Sequence, residues 1–359
     1  MGVFSAEAFD NHEVVTFGND AETGLRSIIA VHSTALGPAA GGCRMWPYAG
    51  EDEAIRDVLR LARGMSYKNA MAGLNLGGGK AVIIGDSRKH KTPELMRAFG
   101  RFVDTLGGKY ITAEDVGMSV ADMEVVAGET KYVGGLTTGQ FASGDPSPLT
   151  AHGVFVGIRA AIRHKLGRDD LEGLTVAVQG VGHVGYKLCK MLHQAGAKLI
   201  VADIYPDLVE QAAKEFSAIA VSVDEILSQG ADVVAPCALG AILDDASIPK
   251  IKAAIVAGAA NNQLARDEHG EALRQRGILY APDYVINAGG IINIAFEVEG
   301  VKPTRQEAEK RVETIYGTLL EVFEKADAEG RPTHEVADAV ARARIAAAHE
   351  RKIKEFRAA

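Results

Sequence analysis

The chain has 359 residues, 47% of them hydrophobic, enough for two domains with a sizeable buried core. Its 39 basic and 47 acidic residues leave a net charge of −8. No basic block breaks that balance, which speaks against nucleic acid as a partner. Cys43, Cys189 and Cys237 are isolated, a pattern that fits a reducing cytoplasm and no disulfide framework. No membrane association is expected, because no apolar run is long enough to span a bilayer. Met1–Asp10 lacks the basic start of a secretory signal. The ten histidines are dispersed and no His-Glu-x-x-His occurs, so no metal site is expected.

The first part of the chain reads as mixed α/β. Val14–Phe17 and Leu25–Val31 are strand-like, rich in β-branched and aliphatic residues. Gly37–Gly42 carries turn signals at both ends and reads as a loop. Glu51–Arg63 has helical spacing, with Ile55, Val58, Leu59 and Ala62 on one face, and Lys68 closes the helical run. Lys80–Ile84 reads as a buried strand. Thr92-Pro93 starts a helix that runs to Leu106. Tyr110–Ala113 is a short strand ending in Glu114-Asp115-Val116-Gly117, where two carboxylates meet a turn.

Gly77-Gly78-Gly79-Lys80 organises this half. Three glycines offer positive-φ freedom and no β-carbons, so another group can approach the main chain closely. A lysine at the mouth of a buried strand is partly desolvated, which favours its neutral form and suits a general base.

At Ser143–Pro148 two prolines and a glycine form a candidate hinge. A helix over Leu149–His164 follows, then a strand, Leu174–Gln179. Next comes Gly180-Val181-Gly182-His183-Val184-Gly185, a helix over Tyr186–Ala195, and a strand, Lys198–Ala202, closed by Asp203. This is the Gly-x-Gly-x-x-Gly fingerprint in its required context of strand, turn and helix. The helix N-terminus offers free N–H groups to a pyrophosphate, and Asp203 stands where a ribose 2′-hydroxyl would be held. The pattern continues with a helix, Pro206–Phe216, and strands at Asp232–Ala235, Ala253–Ala257 and Ile278–Pro282. The later strands lead into Pro236-Cys237-Ala238, Gly258–Asn262 and Asn287-Ala288-Gly289-Gly290, at the edge where a doubly wound sheet binds dinucleotides. Thr304–Phe356 is helical and amphipathic, interrupted at Arg331-Pro332-Thr333.

Gly77–Lys80, Glu114–Gly117, Gly180–Gly185, Ala260-Asn261-Asn262 and Asn287–Gly290, in that order, resemble the glutamate, leucine, phenylalanine and valine dehydrogenases. Within that family the likeness is greatest to the leucine dehydrogenases, through Ala72–Asp86, Tyr110–Gly117, Pro236–Ala241 and Tyr280–Gly290. The resemblance covers nearly the whole chain. It implies an α/β fold of two domains: a substrate-binding and oligomerisation domain over 1–145 and an NAD-binding Rossmann domain over 146–330. A C-terminal helix over 331–359 would return to the first domain.

The resemblance also implies reversible oxidative deamination of an L-amino acid to a 2-oxo acid and ammonia, with NAD as cofactor, in a cytoplasmic homo-oligomer. Lys80 matches the base that activates water, Asp115 the acid that moves protons around the amino group, and Lys68 the partner of the substrate carboxylate. Gly41 and Gly42 match the loop along the substrate backbone, and Asn262 a residue that orients the substrate. Arg44, Thr150, Asp203, Ile204, Ala238 and Asn261 match positions near the cofactor, with the glycine fingerprint. With Asp203 in place and no arginine at Ile204 or Tyr205, NAD is expected over NADP.

The side-chain pocket implied by the resemblance is Ala40, Met65, Ala113, Ile291 and Ile294, without charge or hydroxyl. Glutamate dehydrogenases carry a lysine and a serine at the positions of Ala40 and Ile294, so an aliphatic substrate is expected: leucine, with valine and isoleucine. Ala40 stands where leucine dehydrogenases usually carry leucine, which keeps phenylalanine open as the alternative. An NAD-binding regulatory protein that has lost its chemistry is the alternative of another class, and the intact Lys68, Lys80 and Asp115 speak against it.

Overall fold

The computed structural model describes residues 2–358, which divide into two compact units. The first comprises 1–145, 294–302 and 341–359, and the second 146–293 and 303–340.

In chain order the first unit begins with strands β1 (Val14–Asp20), β2 (Leu25–Ser33), β3 (Ala39–Ala40) and β4 (Cys43–Trp46). Helix α1 (Glu51–Met71), strand β5 (Gly77–Ile84), helix α2 (Pro93–Asp104), strand β6 (Tyr110–Ile111) and helix α3 (Val120–Ala127) follow. Among the described residues one mixed sheet forms, in the order β1-β2-β5-β3-β6, with β4 also pairing along β5. β1 and β5 flank β2 and each runs antiparallel to it, whereas β3 and β4 run parallel to β5.

The apolar run in β2 explains the layers. Ile28 and Ala30 pack with Ile55, Val58, Leu59 and Ala62 of α1. Ile29 and Val31 pack with Leu95, Met96 and Phe99 of α2 and Met123 and Val126 of α3. Consecutive side chains point to opposite faces, so an unbroken apolar run marks a strand covered on both.

Three readings of this half are corrected. The strand starts at Gly77 and not at Lys80, so Gly77–Gly79 are its first three residues, and none uses the positive φ open to it. Gly37–Gly42 is not wholly a loop, because Ala39 and Ala40 bridge Gly77 and Gly78 on one side and Tyr110 and Ile111 on the other. Lys68 does not end its helix. It lies in the last turn of α1, which carries three acidic residues in its first turn, as the helix dipole favours.

The second unit begins with α4 (Ser147–Leu166), which stops at Gly167 in the left-handed region at φ 68°. It continues through β7 (Thr175–Gln179), α5 (His183–Gln194), β8 (Lys198–Ala202), α6 (Pro206–Phe216), β9 (Ile219–Ala220), β10 (Val233–Pro236) and β11 (Ile255–Val256). Helix α7 (Glu268–Gln275), strand β12 (Leu279–Tyr280) and helices α8 (Asp283–Ile286), α9 (Gly289–Val298), α10 (Arg305–Val312), α11 (Thr314–Glu329) and α12 (Thr333–Ala358) complete the chain. The sheet is parallel throughout, in the order β12-β11-β10-β7-β8-β9, which is the doubly wound Rossmann order.

The C-terminal return differs from the expected boundary. α10 and α11 stay with the second unit, and α12 does so up to Val340. The Thr333 hydroxyl donates to Tyr280 O at 2.6 Å and the Tyr284 hydroxyl to Asp338 at 2.7 Å, tying that first part down. From Ala341 onward α12 belongs to the first unit, where Arg344 donates to Ala70 O at 3.2 Å and Lys352 to Thr34 O at 2.6 Å. No helix among the described residues is long and apolar enough to cross a membrane.

Candidate active site

In the first unit the glycines bring main chains closer than side chains allow. A β-carbon on Gly41 would lie 2.0 Å from Gly79 O and 2.9 Å from Met65 Cγ. One on Gly42 would lie 2.4 Å from Glu114 O, and one on Gly78 2.0 Å from Ser66 N. The segment 41–42 is thereby wedged between β5, α1 and the chain after β6. It is braced by the Tyr110 hydroxyl, which donates to Gly41 O at 2.6 Å, and by Cys43 N, which donates to Ala113 O at 2.8 Å. The buried Asn69 amide donates to Gly77 O at 2.6 Å, joining α1 to the start of β5.

Lys80 emerges in this frame. It sits within β5, its Cα opposite Ala30, and is only 6% exposed. Its Nζ is 2.6 Å from Asp115 Oδ2, and Arg44 Nε approaches the same oxygen at 3.3 Å. Burial pushes the Asp115 carboxyl up, but Lys80 and Arg44 outweigh it and hold the group below its ordinary range. Desolvation raises the thiol of the neighbouring Cys43, which is therefore an inert part of the floor. Desolvation, with an electrostatic contribution from Asp145, lifts the carboxyl of Glu114 above its ordinary value.

Lys68 is half-buried, one turn beyond Met65 on the same face of α1. Ala40 and Ala113 are buried to either side of Gly41 and Gly42. Ile294 packs on the segment after Val133, since a β-carbon on Gly134 would lie 2.8 Å from its Cγ2. Lys80, Asp115, Lys68, Gly41, Gly42, Ala40, Met65, Ala113 and Ile294 thus belong to one unit, and Ile291 and Asn262 to the other. Arg44, matched by resemblance to a position near the cofactor, lies between two carboxylates of the first unit, with Nη1 3.0 Å from Asp57.

In the second unit the three fingerprint glycines have different tasks. Gly180 takes φ 92° and turns the chain beneath Ala238. Gly185 packs α5 against β7, since a β-carbon there would stand 1.9 Å from Gly180 O. Gly182 caps α5 with no side-chain hydrogen bond, and nothing lies within 4 Å of its missing β-carbon. Open backbone N–H groups at a helix N-terminus beside an exposed glycine fit a dinucleotide pyrophosphate. Asp203 closes β8 and accepts from Val181 N at 2.7 Å and Tyr205 N at 3.1 Å, while Ile204 is 72% exposed beside it.

Thr150 donates its hydroxyl to Pro146 O at 2.9 Å and lies against Gly290. Asn261 accepts from the buried Asn287 at 2.7 Å, and the exposed Asn262 holds φ 51°. Sequence reasoning missed Asn287 as the brace of Asn261, and Asp57 and Tyr48 as partners in the Arg44 network. Asn287 had a signal in its motif, whereas Asp57 reads as one more polar residue on a helix.

The family model "Glu/Leu/Phe/Val dehydrogenase, dimerisation domain" matches residues 12–132, and "Glutamate/Leucine/Phenylalanine/Valine dehydrogenase" matches 201–352. "D-isomer specific 2-hydroxyacid dehydrogenase, NAD binding domain" matches 157–242. A leucine dehydrogenase from Thermoactinomyces intermedius is 53% identical, over 96% of this chain and 94% of its own. A valine dehydrogenase from Streptomyces virginiae is 48% identical, over 93% of this chain and 94% of its own. The crystal structure of L-tryptophan dehydrogenase from Nostoc punctiforme superposes with a TM-score of 0.84 at 44% identity, covering 94% of this chain and 97% of that one.

Proposed function

The chain belongs to the glutamate/leucine/phenylalanine/valine dehydrogenase family, and from that premise we propose that it deaminates aliphatic L-amino acids oxidatively and reversibly, with NAD as cofactor. Leucine leads, with valine and isoleucine as relatives. The observation that carries the reading is the 2.6 Å contact between the buried Lys80 and Asp115, in a frame whose glycines let β5, the segment 41–42 and the chain after β6 pack main chain to main chain around it.

The residues take these roles. The Lys68 ammonium pairs with the substrate carboxylate while Gly41 and Gly42 lie along the substrate backbone. Bound NAD supplies the acceptor for the hydride that leaves the substrate Cα. Asn262 orients the substrate for that step. The Asp115 carboxylate takes a proton from the substrate ammonium before the hydride leaves, and Lys80 in its neutral form takes a proton from the water that attacks the substrate imine. Asp115 then returns its proton to the departing amino group while the hydroxyl of the adduct gives up its proton to become the carbonyl, so amino acid, water and NAD end as 2-oxo acid, ammonium, NADH and one proton released to solvent. Gly180–Gly185 and Asp203 hold the dinucleotide, with Ile204, Thr150, Ala238 and Asn261 around it.

The aliphatic preference follows from Ala40, Met65, Ala113, Ile291 and Ile294. A glutamate side chain would leave its carboxylate unpaired among them, at a cost of several kcal/mol. Self-association through the first unit completes the reading, in keeping with the dimerisation-domain model matched there.

The test is kcat/KM for leucine, valine, isoleucine, phenylalanine and glutamate, on the wild type and on Lys80→Ala. Leucine in front and no turnover by folded Lys80→Ala is the expected result. Phenylalanine ahead by tenfold would overturn the substrate. No amino-acid-dependent NADH formation at all would overturn the function.

A further inference from the structure

Behind the Lys80–Asp115 pair stands a second pair that the chemistry above does not use. Arg44 reaches Asp115 with Nε at 3.3 Å and Asp57 with Nη1 at 3.0 Å. Asp57 Oδ2 also accepts the Tyr48 hydroxyl at 2.7 Å, and its side chain is only 15% exposed. Arg60 is 3.7 Å from the other oxygen but 61% exposed, so it adds little. The resulting line, Lys80, Asp115, Arg44, Asp57, alternates in charge and joins β5, the chain after β6, β4 and α1.

We propose that Asp57 is a positioning residue for the Lys80–Asp115 pair, acting through Arg44. The inference rests on the functional reading in which that pair carries the proton transfers.

The geometry supplies the reason. Asp115 Oδ2 already receives two cations, Lys80 at 2.6 Å and Arg44 at 3.3 Å. A guanidinium can grip a carboxylate with two nitrogens, yet here Nε meets Asp115 while Nη1 is held by Asp57. Asp57 thereby anchors the far side of the guanidinium and fixes where Nε approaches Asp115. Without that anchor the guanidinium is free to swing so that Nε and Nη2 grip Asp115 together, which draws its oxygens away from Lys80. Arginine holds the two carboxylates with separate nitrogens fixed in one plane, whereas lysine would bring a single point-like ammonium with no fixed orientation. Tyr48 in turn orients Asp57 from the loop after β4.

The experiment uses the full-length enzyme and the variants Asp57→Asn, Asp57→Glu, Arg44→Lys and the double variant Asp57→Asn/Arg44→Lys. Trp46, the only tryptophan, lines the same surface cavity as Arg44, Tyr48 and Asp57, so its emission reports local folding independently of activity. With that emission unchanged, Asp57→Asn is expected to lower kcat about 10–100-fold, as a displaced reacting group does, with KM for leucine and NAD within about twofold. Asp57→Glu should recover part of the rate. The double variant should be no slower than Arg44→Lys, because Asp57 acts only through the guanidinium.

Wild-type kcat in folded Asp57→Asn overturns the proposal, as does a loss confined to KM for NAD or additive losses in the double variant. If Asp57→Asn does not fold, Tyr48→Phe removes one hydrogen bond from Asp57 and must lower kcat in the same sense; an unchanged kcat there overturns it equally. A wild type that forms no NADH with any amino acid overturns the functional reading and this inference together. An active wild type with an indifferent Asp57→Asn overturns this inference alone.

Discussion

Replacing Gly78 with alanine tests whether one helix–strand contact sets the two lysines proposed to act on the substrate. The new β-carbon would stand 2.0 Å from Ser66 N, 2.2 Å from its Oγ and 2.4 Å from its Cα. Two of those atoms are helix backbone and cannot rotate aside. Reaching ordinary contact at 3.4 Å requires α1 and β5 to part by about 1.4 Å. Overpacking of this kind costs roughly 1–3 kcal/mol. At about 2 kcal/mol the melting temperature of a domain of this size falls by roughly 4–8 °C. The rate should suffer more than stability does. Ser66 sits just before Lys68 and Gly78 just before Lys80, so the parting separates the proposed partner of the substrate carboxylate from the proposed base. A displacement near 1 Å costs on the order of 10²-fold in rate. The assay is thermal unfolding together with kcat at saturating leucine and NAD. Gly64→Ala is the control: it lies exposed on the same helix with nothing within 4 Å of its missing β-carbon. Removing that helical glycine should stabilise by about 0.5–1 kcal/mol and leave the rate alone. Wild-type stability and rate in Gly78→Ala, or equal damage from Gly64→Ala, would refute the reasoning.

The second unit was legible because its signals are local. Gly180, Gly182 and Gly185 lie between two apolar runs and a helix, and Asp203 ends the second run, all within one strand–turn–helix–strand unit. The first unit was harder, because a glycine has two uses that sequence does not separate. Gly77, Gly78 and Gly79 read as conformational freedom, yet none has positive φ. They are there for close approach, to Ser33 O, Ser66 and the Tyr110 ring. Helix α3 escaped notice because it spans eight residues and its capping box pairs Ser119 with Asp122 in place of the commoner glutamate. Arg44 shows where pattern reading ends. Its carboxylate partners are 13 and 71 positions away, and only the folding of β4 beside α1 and the chain after β6 brings them to one guanidinium. The return of the C-terminal helix was visible as an amphipathic run, but its crossover at Ala341 depends on where Thr333 and Asp338 find partners.

Three further outcomes follow from the same geometry. NAD should exceed NADP in kcat/KM, because a 2′-phosphate would meet Asp203 in place of a cation, and Asp203→Ala should narrow the gap; equal use by the wild type would mean that Asp203 faces something else. Burial, and to a lesser degree His32, lowers the His12 imidazole to about 4, against the opposing pull of its hydrogen bond to Leu59 O. A depressed pKa means that the unfolded chain binds the proton first, so stability is lost as pH falls from the ordinary imidazole range to about 4. His12→Gln, which still donates to Leu59 O, should flatten that part of a melting-temperature profile, and an unchanged slope would exclude His12 as its source. The last concerns Glu297, one turn beyond Ile294. Its carboxylate accepts from Gly135 N at 2.8 Å, Leu136 N at 3.4 Å and the Ser143 hydroxyl at 2.8 Å, clamping the segment against which Ile294 packs. Glu297→Gln keeps the shape but puts an amide where one oxygen accepted, removing a charge-assisted bond worth about 1.5–3 kcal/mol. The segment should loosen beside Ile294 and admit bulkier side chains, so the leucine-to-phenylalanine ratio of kcat/KM should fall several-fold while KM for NAD holds. A lower melting temperature with that ratio unchanged would make Glu297 a structural brace with no hold on specificity.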